Sequence, residues 1–289
     1  MRNLLLLTAA IALTGCASVQ NYVESAAIPD AKTGLTQFTK VNKDSAQTVD
    51  HTAFDQFLAK YLVTTSADNI ETQGASLIRY QDVSNADTQA LIDYIDRLQA
   101  TKTSSLNRDE QLAFWINLYN AQTIRVIIEN APVNSIRDIK DSAFDVKGPW
   151  NDVSLSVEGT ELSLEDIENK IVRPVFQDPR IHYGLNCAAI GCPNLRSEAY
   201  TAKTLNQALD AQTRAFINNP RGVNVEDGEL TLSRIFLWYG SDYGDSKDDI
   251  LAHIRQYALP SLKDDLTSIS SISRYEYDWS INDAARLNP

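Results

Sequence analysis

The stretch Arg180-Ile-His-Tyr-Gly-Leu-Asn-Cys-Ala-Ala-Ile-Gly-Cys-Pro-Asn-Leu195 holds one of the three histidines and two of the three cysteines of the chain. A thiol at Cys187 with an imidazole at His182 would suit a nucleophile and its general base. Small residues after Cys187 allow close backbone approach, and Pro193 ends the element that carries the cysteines. A Cys187–Cys192 disulfide, or two buried structural cysteines beside a core histidine, would explain the same pattern.

A thiol nucleophile also needs a group that orients its base, and a long helix predicted over residues 107–128 offers candidates. That helix is apolar around nearly its whole circumference, yet Glu110, Asn117 and Asn120 lie along one side of it. Buried polar side chains must find hydrogen-bond partners. We therefore expect either that Glu110 or Asn117 orients His182 in a catalytic site, or that these side chains fasten loops to the helix.

Asn120, Asn186, Trp238 and Tyr239 are candidate ligand-binding residues. Amide groups hydrogen-bond to polar ligands, and aromatic rings stack on sugars or peptides. Packing in the core, with the polar tip of each ring satisfied, is the alternative role for the two aromatic side chains.

Metal and cofactor chemistry receive little support from the sequence. His182, Cys187 and Cys192 include zinc-binding residue types, but their spacing matches no recognised zinc site and no fourth ligand is evident. The chain has no P-loop, no Gly-rich dinucleotide turn, no Gly-x-Ser-x-Gly elbow and no His-Glu-x-x-His motif. We predict no metal and no cofactor.

Five stretches of the chain together carry a family resemblance. They are Glu110-Gln-Leu-Ala-Phe-Trp-Ile-Asn-Leu-Tyr-Asn-Ala121, Leu164-Glu-Asp-Ile-Glu168, the cysteine-containing stretch at residues 180–195, Leu232-Ser-Arg-Ile-Phe-Leu-Trp-Tyr239 and Tyr277-Asp-Trp-Ser-Ile-Asn282. In this order, over roughly residues 75–282, the chain resembles the domain of unknown function 547 family. The resemblance implies no particular activity, and the family includes both bacterial lipoproteins and intracellular proteins. Its pattern commonly has a histidine where this chain has Asn169, so a site that used that imidazole would be altered here.

The first residues predict a lipoprotein signal peptide. Arg2 precedes an apolar run at residues 4–13 that is too short to span a bilayer, and Leu13-Thr-Gly-Cys16 resembles the bacterial lipobox. We predict removal of residues 1–15 and acylation of Cys16, whose acyl chains are the contact with the membrane. Ala17 in place of an aspartate favours the outer membrane, with the protein facing the periplasm. An ordinary secretory signal with a coincidental cysteine is the alternative.

The remaining chain predicts a tether followed by one domain. The formal net charge of −12 argues against nucleic acid and anionic lipid surfaces as partners. Residues 16–50 have few large apolar side chains, which favours a flexible tether. Residues 51–289 interleave helices and short strands without a repeating βαβ period. This favours an α+β fold: a mostly helical single domain with short antiparallel strands and hairpins, for which a papain-like layout is a candidate.

Two functions of different class fit these features. The first is a thiol-dependent hydrolase or acyl transferase that acts on envelope peptides or amides, with Cys187 as nucleophile. The second is a non-catalytic binding or scaffolding module of the cell envelope, for which the sequence specifies neither substrate nor protein partner. A helix that began at Cys187 would hold Cys192 too far away for a bridge, so we predict that both thiols are reduced.

The lipid anchor leads to a direct test. We expect the intact mass of the mature protein to correspond to a chain that starts at a diacylated Cys16, because the lipobox directs both cleavage and acylation to that residue. A Cys16→Ser variant should lose the acyl mass, whereas a Cys187→Ser variant should retain it. A mature chain that begins anywhere other than at a lipid-modified Cys16 would contradict the prediction.

Overall fold

A computed structural model describes residues 34–287, except for residues 67, 70, 71, 140–147 and 152–154. The predicted signal peptide and Cys16 lie outside the described residues. Within the described part, no helix is both long enough and apolar enough to cross a membrane.

The α-helices of the described residues are short apart from a central one. They are α1 (Thr52–Tyr61), α2 (Asn85–Gln99), α3 (Arg108–Asn130), α4 (Leu164–Asp166), α5 (Arg173–Phe176), α6 (Leu205–Ile217), α7 (Ile235–Trp238), α8 (Gly240–Tyr243), α9 (Lys247–Tyr257) and α10 (Pro260–Asp265). A π-helix (Ile167–Val172) joins α4 to α5. Several 3₁₀ turns connect these elements, among them Pro179–Tyr183, which carries His182.

Helix α3 forms the centre of the fold, and every residue from Glu110 to Ile124 along it is buried. Its start agrees with the prediction, since the Asn107 side chain accepts a hydrogen bond from the Glu110 backbone N–H at 2.9 Å. Helices α1 and α2 and the π-helix bury apolar side chains around it, including Leu58, Ile95 and Ile171. A second apolar cluster lies between α6, α7, α9 and a small sheet and includes Phe216, Leu232 and Ile254.

The described residues contain seven short strands in three small sheets. They are β1 (Leu62–Thr64), β2 (Ser76–Ile78), β3 (Leu155–Val157), β4 (Thr160–Leu162), β5 (Val223–Glu226), β6 (Glu229–Ser233) and β7 (Arg274–Glu276), paired as β1-β2, β3-β4 and β5-β6-β7. Asp227 and Gly228 both have positive φ at the β5–β6 turn, as expected for an Asp-Gly hairpin. The fold is therefore α+β, as predicted, although β7 runs parallel to β6 because α9 and α10 carry the chain across before it returns.

The predicted tether does not extend through residue 50. Phe38 is only 2% exposed and packs edge-on against Trp115, with ring centroids 5.1 Å apart. The backbone N–H of Val49 donates to the Glu110 carboxylate at 2.6 Å. Few apolar side chains occur between residues 34 and 50, but those present are enough to attach this segment to the core.

Two histidines outside the central stretch are structural. His51 begins α1 but is only 4% exposed, and its Nδ1 atom lies 2.6 Å from the hydroxyl of Tyr94. His253 stacks on Tyr183 with an interplanar angle of 4°. Burial lowers the pKa of each imidazole to about 4. Both rings are therefore neutral in the folded protein over the range in which an unfolded histidine titrates.

The buried imidazoles should make stability depend on pH. Above about pH 6.5, which is the pKa of an unfolded histidine, the imidazole is neutral in both the folded and the unfolded state. Below that pH the unfolded state binds a proton that the folded state excludes, so the free energy of unfolding falls until about pH 4. We expect His51 to contribute a loss of up to about 3 kcal/mol in unfolding free energy over that window. Urea unfolding of a His51→Asn variant at several pH values should show a smaller loss. A Tyr94→Phe variant keeps His51 buried and should retain the pH dependence, and an unchanged loss in His51→Asn would contradict this account.

Candidate functional site

The two cysteines of the central stretch form a disulfide. Cys187 and Cys192 are bonded to each other, with their Cα atoms 6.2 Å apart, which is within the normal range for a bridge. The prediction of two reduced thiols is wrong because Cys187 does not begin a helix. It lies in an irregular turn, in which Ala188 has a φ of 59°, and this turn brings the chain back on itself. We call residues 187–192 the disulfide loop.

The disulfide loop is held against the C-terminal segment by backbone hydrogen bonds. Ile190 N–H donates to the carbonyl of Ser280 and Gly191 N–H to that of Asp278, both at 2.8 Å. A Cβ atom at Gly191 would lie 2.8 Å from the backbone nitrogen of Asp278, so only glycine allows this approach. The loop is therefore fixed from both sides, by its own bridge and by residues about 90 positions later in the chain.

The hydroxyl of Tyr277 lies at the bridge, 2.9 Å from Sγ of Cys187 and 3.2 Å from Sγ of Cys192. Burial raises the pKa of Tyr277, so its hydroxyl stays protonated and can donate to sulfur. Cys192 is buried, whereas Cys187 is half-buried. The solvent-accessible side of the bridge is therefore the Cys187 side.

The imidazole of His182 hydrogen-bonds to Asp242, which also forms an ion pair with Arg173, and it has no hydrogen bond to Cys187. Its Nε2 atom lies 2.8 Å from the carboxylate of Asp242, and its Nδ1 atom has no hydrogen-bond partner in the described chain. Arg173 donates to both oxygens of Asp242, at 2.6 and 2.8 Å. The ring of His182 stacks on Tyr239 at a centroid distance of 4.0 Å. The predicted Cys187–His182 dyad is not formed, because the imidazole faces the ion pair and the thiol is bridged.

Asp242 is the anion of this buried network. Burial by itself would raise the pKa of Asp242, but the hydrogen bonds from His182 and Arg173 outweigh burial and hold its pKa well below the ordinary value. Asn169 accepts from Arg173 at 2.7 Å, and Glu168 lies 4.0 Å from Nδ1 of His182. Asn169, which stands where the related pattern commonly has histidine, therefore orients the guanidinium of Arg173.

The polar side of α3 fastens loops rather than orienting a catalytic base. The carboxylate of Glu110 accepts backbone N–H groups from Val49 and Ala202. Asn117 both donates to and accepts from the backbone of Tyr200, at 2.8 and 2.9 Å. The expectation that Glu110 or Asn117 orients His182 is therefore wrong, and the alternative of structural hydrogen bonding describes both residues.

Asn120 and Asn186 are also structural, and they shape the start of the disulfide loop. Asn120 accepts from the backbone N–H of Asn186 and donates to the carbonyl of Gly184. Asn186 in turn accepts from the N–H of Ala188 and donates to the carbonyl of Pro193. Both amides are buried and bonded to protein atoms, so the structure does not support the prediction that they contact a ligand.

The two aromatic candidates differ in surroundings. Tyr239 packs between the His182 ring and the guanidinium of Arg173, which lies 5.0 Å from its centroid. Trp238 joins a half-buried aromatic cluster, with ring centroids 4.8 Å from Tyr277 and 5.4 Å from Trp279. Both rings pack against other protein groups, and the Trp238 cluster is the one that adjoins the disulfide.

A cleft of about 520 Å³ lies beside the disulfide loop. Asn224, Thr231 and Glu276 of strands β5, β6 and β7 line it, together with Ile190 and Gly191 of the disulfide loop. Charged side chains of both signs border it, including Arg221 and Asp278. Its volume falls in the range of sites that bind small molecules. No group of three or more His, Cys, Asp or Glu side chains in the described chain is arranged to hold a metal ion.

Residues 103–217 match the model of the family described as "Protein of unknown function, DUF547". Over this segment the chain is similar to the DUF547 family. The predicted resemblance is confirmed, whereas no curated protein and no solved structure matches the chain. The matched segment carries His182, Arg173 and the disulfide loop, but Asp242 and Tyr277 lie beyond it.

The sequence did not reveal which residues contact His182 and the disulfide loop. Tyr277 belongs to one of the matching stretches and could have been found there, since a tyrosine in such a stretch is a candidate contact of the central motif. Arg173 lies four residues after Asn169, a spacing at which helical side chains meet. Asp242 and Arg221 carried no signal, because a Gly-Ser-Asp-Tyr-Gly stretch and an Asn-Pro-Arg-Gly stretch both resemble ordinary turns.

The disulfide can be tested by alkylation. We expect native protein purified without reductant to resist iodoacetamide at Cys187, because its sulfur is bonded to Cys192, and to react at both positions after reduction. Peptide mapping by mass spectrometry reports each position separately from Cys16. A Cys192→Ser variant leaves Cys187 without a partner and should be labelled without reductant. Labelling of Cys187 in the native wild-type protein would show that the bridge is absent.

Proposed function

We propose that this protein is a non-catalytic module of the cell envelope that binds a small ligand in the cleft beside the disulfide loop. The cleft is the observation that carries the proposal. It is lined by residues of the β5-β6-β7 sheet and of a loop closed by a covalent bridge, so its shape is preformed. A preformed site loses less conformational entropy when a ligand binds.

The surroundings of the two residues expected to perform chemistry support binding over catalysis. The sulfur of Cys187 is bonded to Cys192, and Nε2 of His182 is bonded to Asp242. A thiol nucleophile must be free and must lie within hydrogen-bond reach of its base. Neither condition is met by these side chains as they are arranged.

The proposed location rests on the N-terminal sequence and is compatible with the bridge. An acylated Cys16 would hold the protein at the membrane, most simply at the outer membrane with the domain facing the periplasm. Disulfides persist in oxidising compartments such as the periplasm. The described domain carries no membrane-spanning helix, so in this proposal the acyl chains provide the attachment.

A thiol-dependent hydrolase or acyl transferase is the second candidate, and one observation favours it. The Tyr277 hydroxyl lies 2.9 Å from the half-buried sulfur of Cys187 and could stabilise a thiolate if the bridge were opened. Opening needs a dithiol that supplies two electrons and two protons and is itself oxidised to a disulfide. Hydrolysis of a chromogenic amide that requires both a dithiol and Cys187 would favour this candidate over the binding module.

The binding proposal can be tested by thermal unfolding against a panel of amino acids, short peptides, sugars, nucleosides and phosphates. We expect at least one class to raise the melting temperature, because a ligand at 100 times its Kd adds about 2.7 kcal/mol to the stability of the folded state. An Asn224→Trp variant narrows the cleft and should lose the shift.

A matched substitution controls for the effect of adding a large side chain. Ala90 lies exposed on α2, away from the cleft, and an Ala90→Trp variant should keep the full shift. The proposal fails if no member of the panel changes the melting temperature, or if Asn224→Trp responds to ligands as the wild type does.

A further inference from the structure

We propose that the cleft binds a small zwitterion that carries both an ammonium and a carboxylate group, in the form of a short peptide with free termini. This inference rests on the proposed binding function and specifies its ligand class. It is carried by two oppositely charged side chains of the cleft, neither of which has an ion-pair partner among the described residues.

Arg221 supplies the positive charge. Its guanidinium donates to the carbonyls of Ile190 and Cys192 and to the side-chain oxygens of Asn194 and Asn219, all of which are neutral. No carboxylate of the described chain lies within ion-pair distance of it, and burial lowers its pKa to about 10. A cation removed from water without a counter-ion is costly. The hydrogen bonds fix the guanidinium at the cleft, where an incoming carboxylate would supply the absent negative charge.

Asp278 supplies the negative charge, as an exposed residue that lines the cleft. Its backbone carbonyl accepts from Gly191 N–H, and one side-chain oxygen accepts from the backbone N–H of Ser280, but no cation of the described chain pairs with its carboxylate. Glu276, the other acid of the cleft, differs because it pairs with Arg274 at 3.0 Å. A simple anion would meet repulsion from Asp278, and a simple cation would meet repulsion from Arg221. A zwitterion satisfies both side chains.

The sheet residues that line the cleft suit a peptide group. Asn224 of β5 and Thr231 of β6 are register partners, so their side chains share one face of the sheet, and both border the cleft. Neither side chain has a hydrogen bond within the described chain, which leaves an amide and a hydroxyl available for a ligand. The side-chain amide of Asn224 offers two N–H donors and a carbonyl acceptor, and the hydroxyl of Thr231 offers a donor and an acceptor, which together match the N–H and C=O of a peptide bond.

Isothermal titration of the wild-type protein with three probes tests the charge requirement directly. The probes are alanyl-alanine, N-acetyl-alanyl-alanine without the ammonium group, and alanyl-alanine amide without the carboxylate. We expect alanyl-alanine to bind and each derivative to bind at least about tenfold more weakly, because each loses one charge-assisted interaction. This comparison uses one folded protein throughout, so it does not depend on the stability of any variant.

Variants then assign each charge to a residue. In Asp278→Asn, alanyl-alanine and its N-acetyl derivative should bind with equal affinity, while the preference over the amide persists. In Arg221→Gln, the free dipeptide and its amide should bind equally, while the preference over the N-acetyl form persists. Arg221 anchors several loop carbonyls, so circular dichroism must first establish that Arg221→Gln is folded; if it is not, the three probes and Asp278→Asn decide.

The inference and the binding function can fail separately. Equal affinity of the three probes, or no binding of alanyl-alanine, would overturn the zwitterion inference. If another class of compound then shifts the melting temperature of the wild type but not of Asn224→Trp, the binding function stands without it. If folded Asp278→Asn still binds alanyl-alanine more tightly than its N-acetyl derivative, Asp278 is not the partner of the ammonium group.

Discussion

The site depends on two buried side-chain amides of α3, those of Asn117 and Asn120. They hydrogen-bond to backbone groups of loops that have no backbone partner for those groups. Each pairs with main-chain groups of a segment far along the chain, at Tyr200 and at Gly184 with Asn186. Leaving one such buried group without a partner costs about 1–3 kcal/mol. A helix that is apolar on nearly all sides therefore carries one polar stripe, and that stripe determines the course of the loop that contains both cysteines.

A second constraint joins the two apolar clusters. Arg173 and His182 lie against the cluster around α3, whereas Asp242 is carried by α8 beside the cluster around the β5-β6-β7 sheet. Ion pairs of this kind are weak as a source of net stability, because desolvation offsets the attraction, but loss of one partner leaves a buried charge uncompensated. The network is best understood as a device that sets the position of one cluster relative to the other, and with it the aromatic groups that surround the disulfide.

The elements that could be predicted were those with local signals. Asn107, Ser84 and Ser163 cap their helices as their sequences indicate, and Asp227-Gly228 forms the expected hairpin turn. What failed depended on contacts distant in sequence. The bridge could not be inferred because it required knowing that residues 184–192 are not helical, and that follows from hydrogen bonds to α3 and to the C-terminal segment. The burial of His51 has no local signal, because Tyr94, which contacts its ring, is 43 positions away.

Contacts between residues distant in sequence also explain why the partners predicted for the site residues were wrong. The sequence predicts Glu110, Asn117 and Asn120 as buried polar groups that need partners, and each finds them in the backbone of a loop. Composition identifies which groups need partners, whereas topology decides which partners they obtain. Asp242 could replace Cys187 as the neighbour of His182 because nothing local distinguishes the two possibilities.

The ion pair between Arg173 and Asp242 also bears on how the boundaries of this domain are drawn. The segment that matches the DUF547 family model ends at residue 217, so it includes Arg173 and omits Asp242. A fragment cut at that boundary would lose the carboxylate that accepts two hydrogen bonds from the Arg173 guanidinium, and would lose the β5-β6-β7 sheet. The matched segment is thus smaller than the set of residues that builds the site, because Asp242 and Tyr277 both lie beyond it.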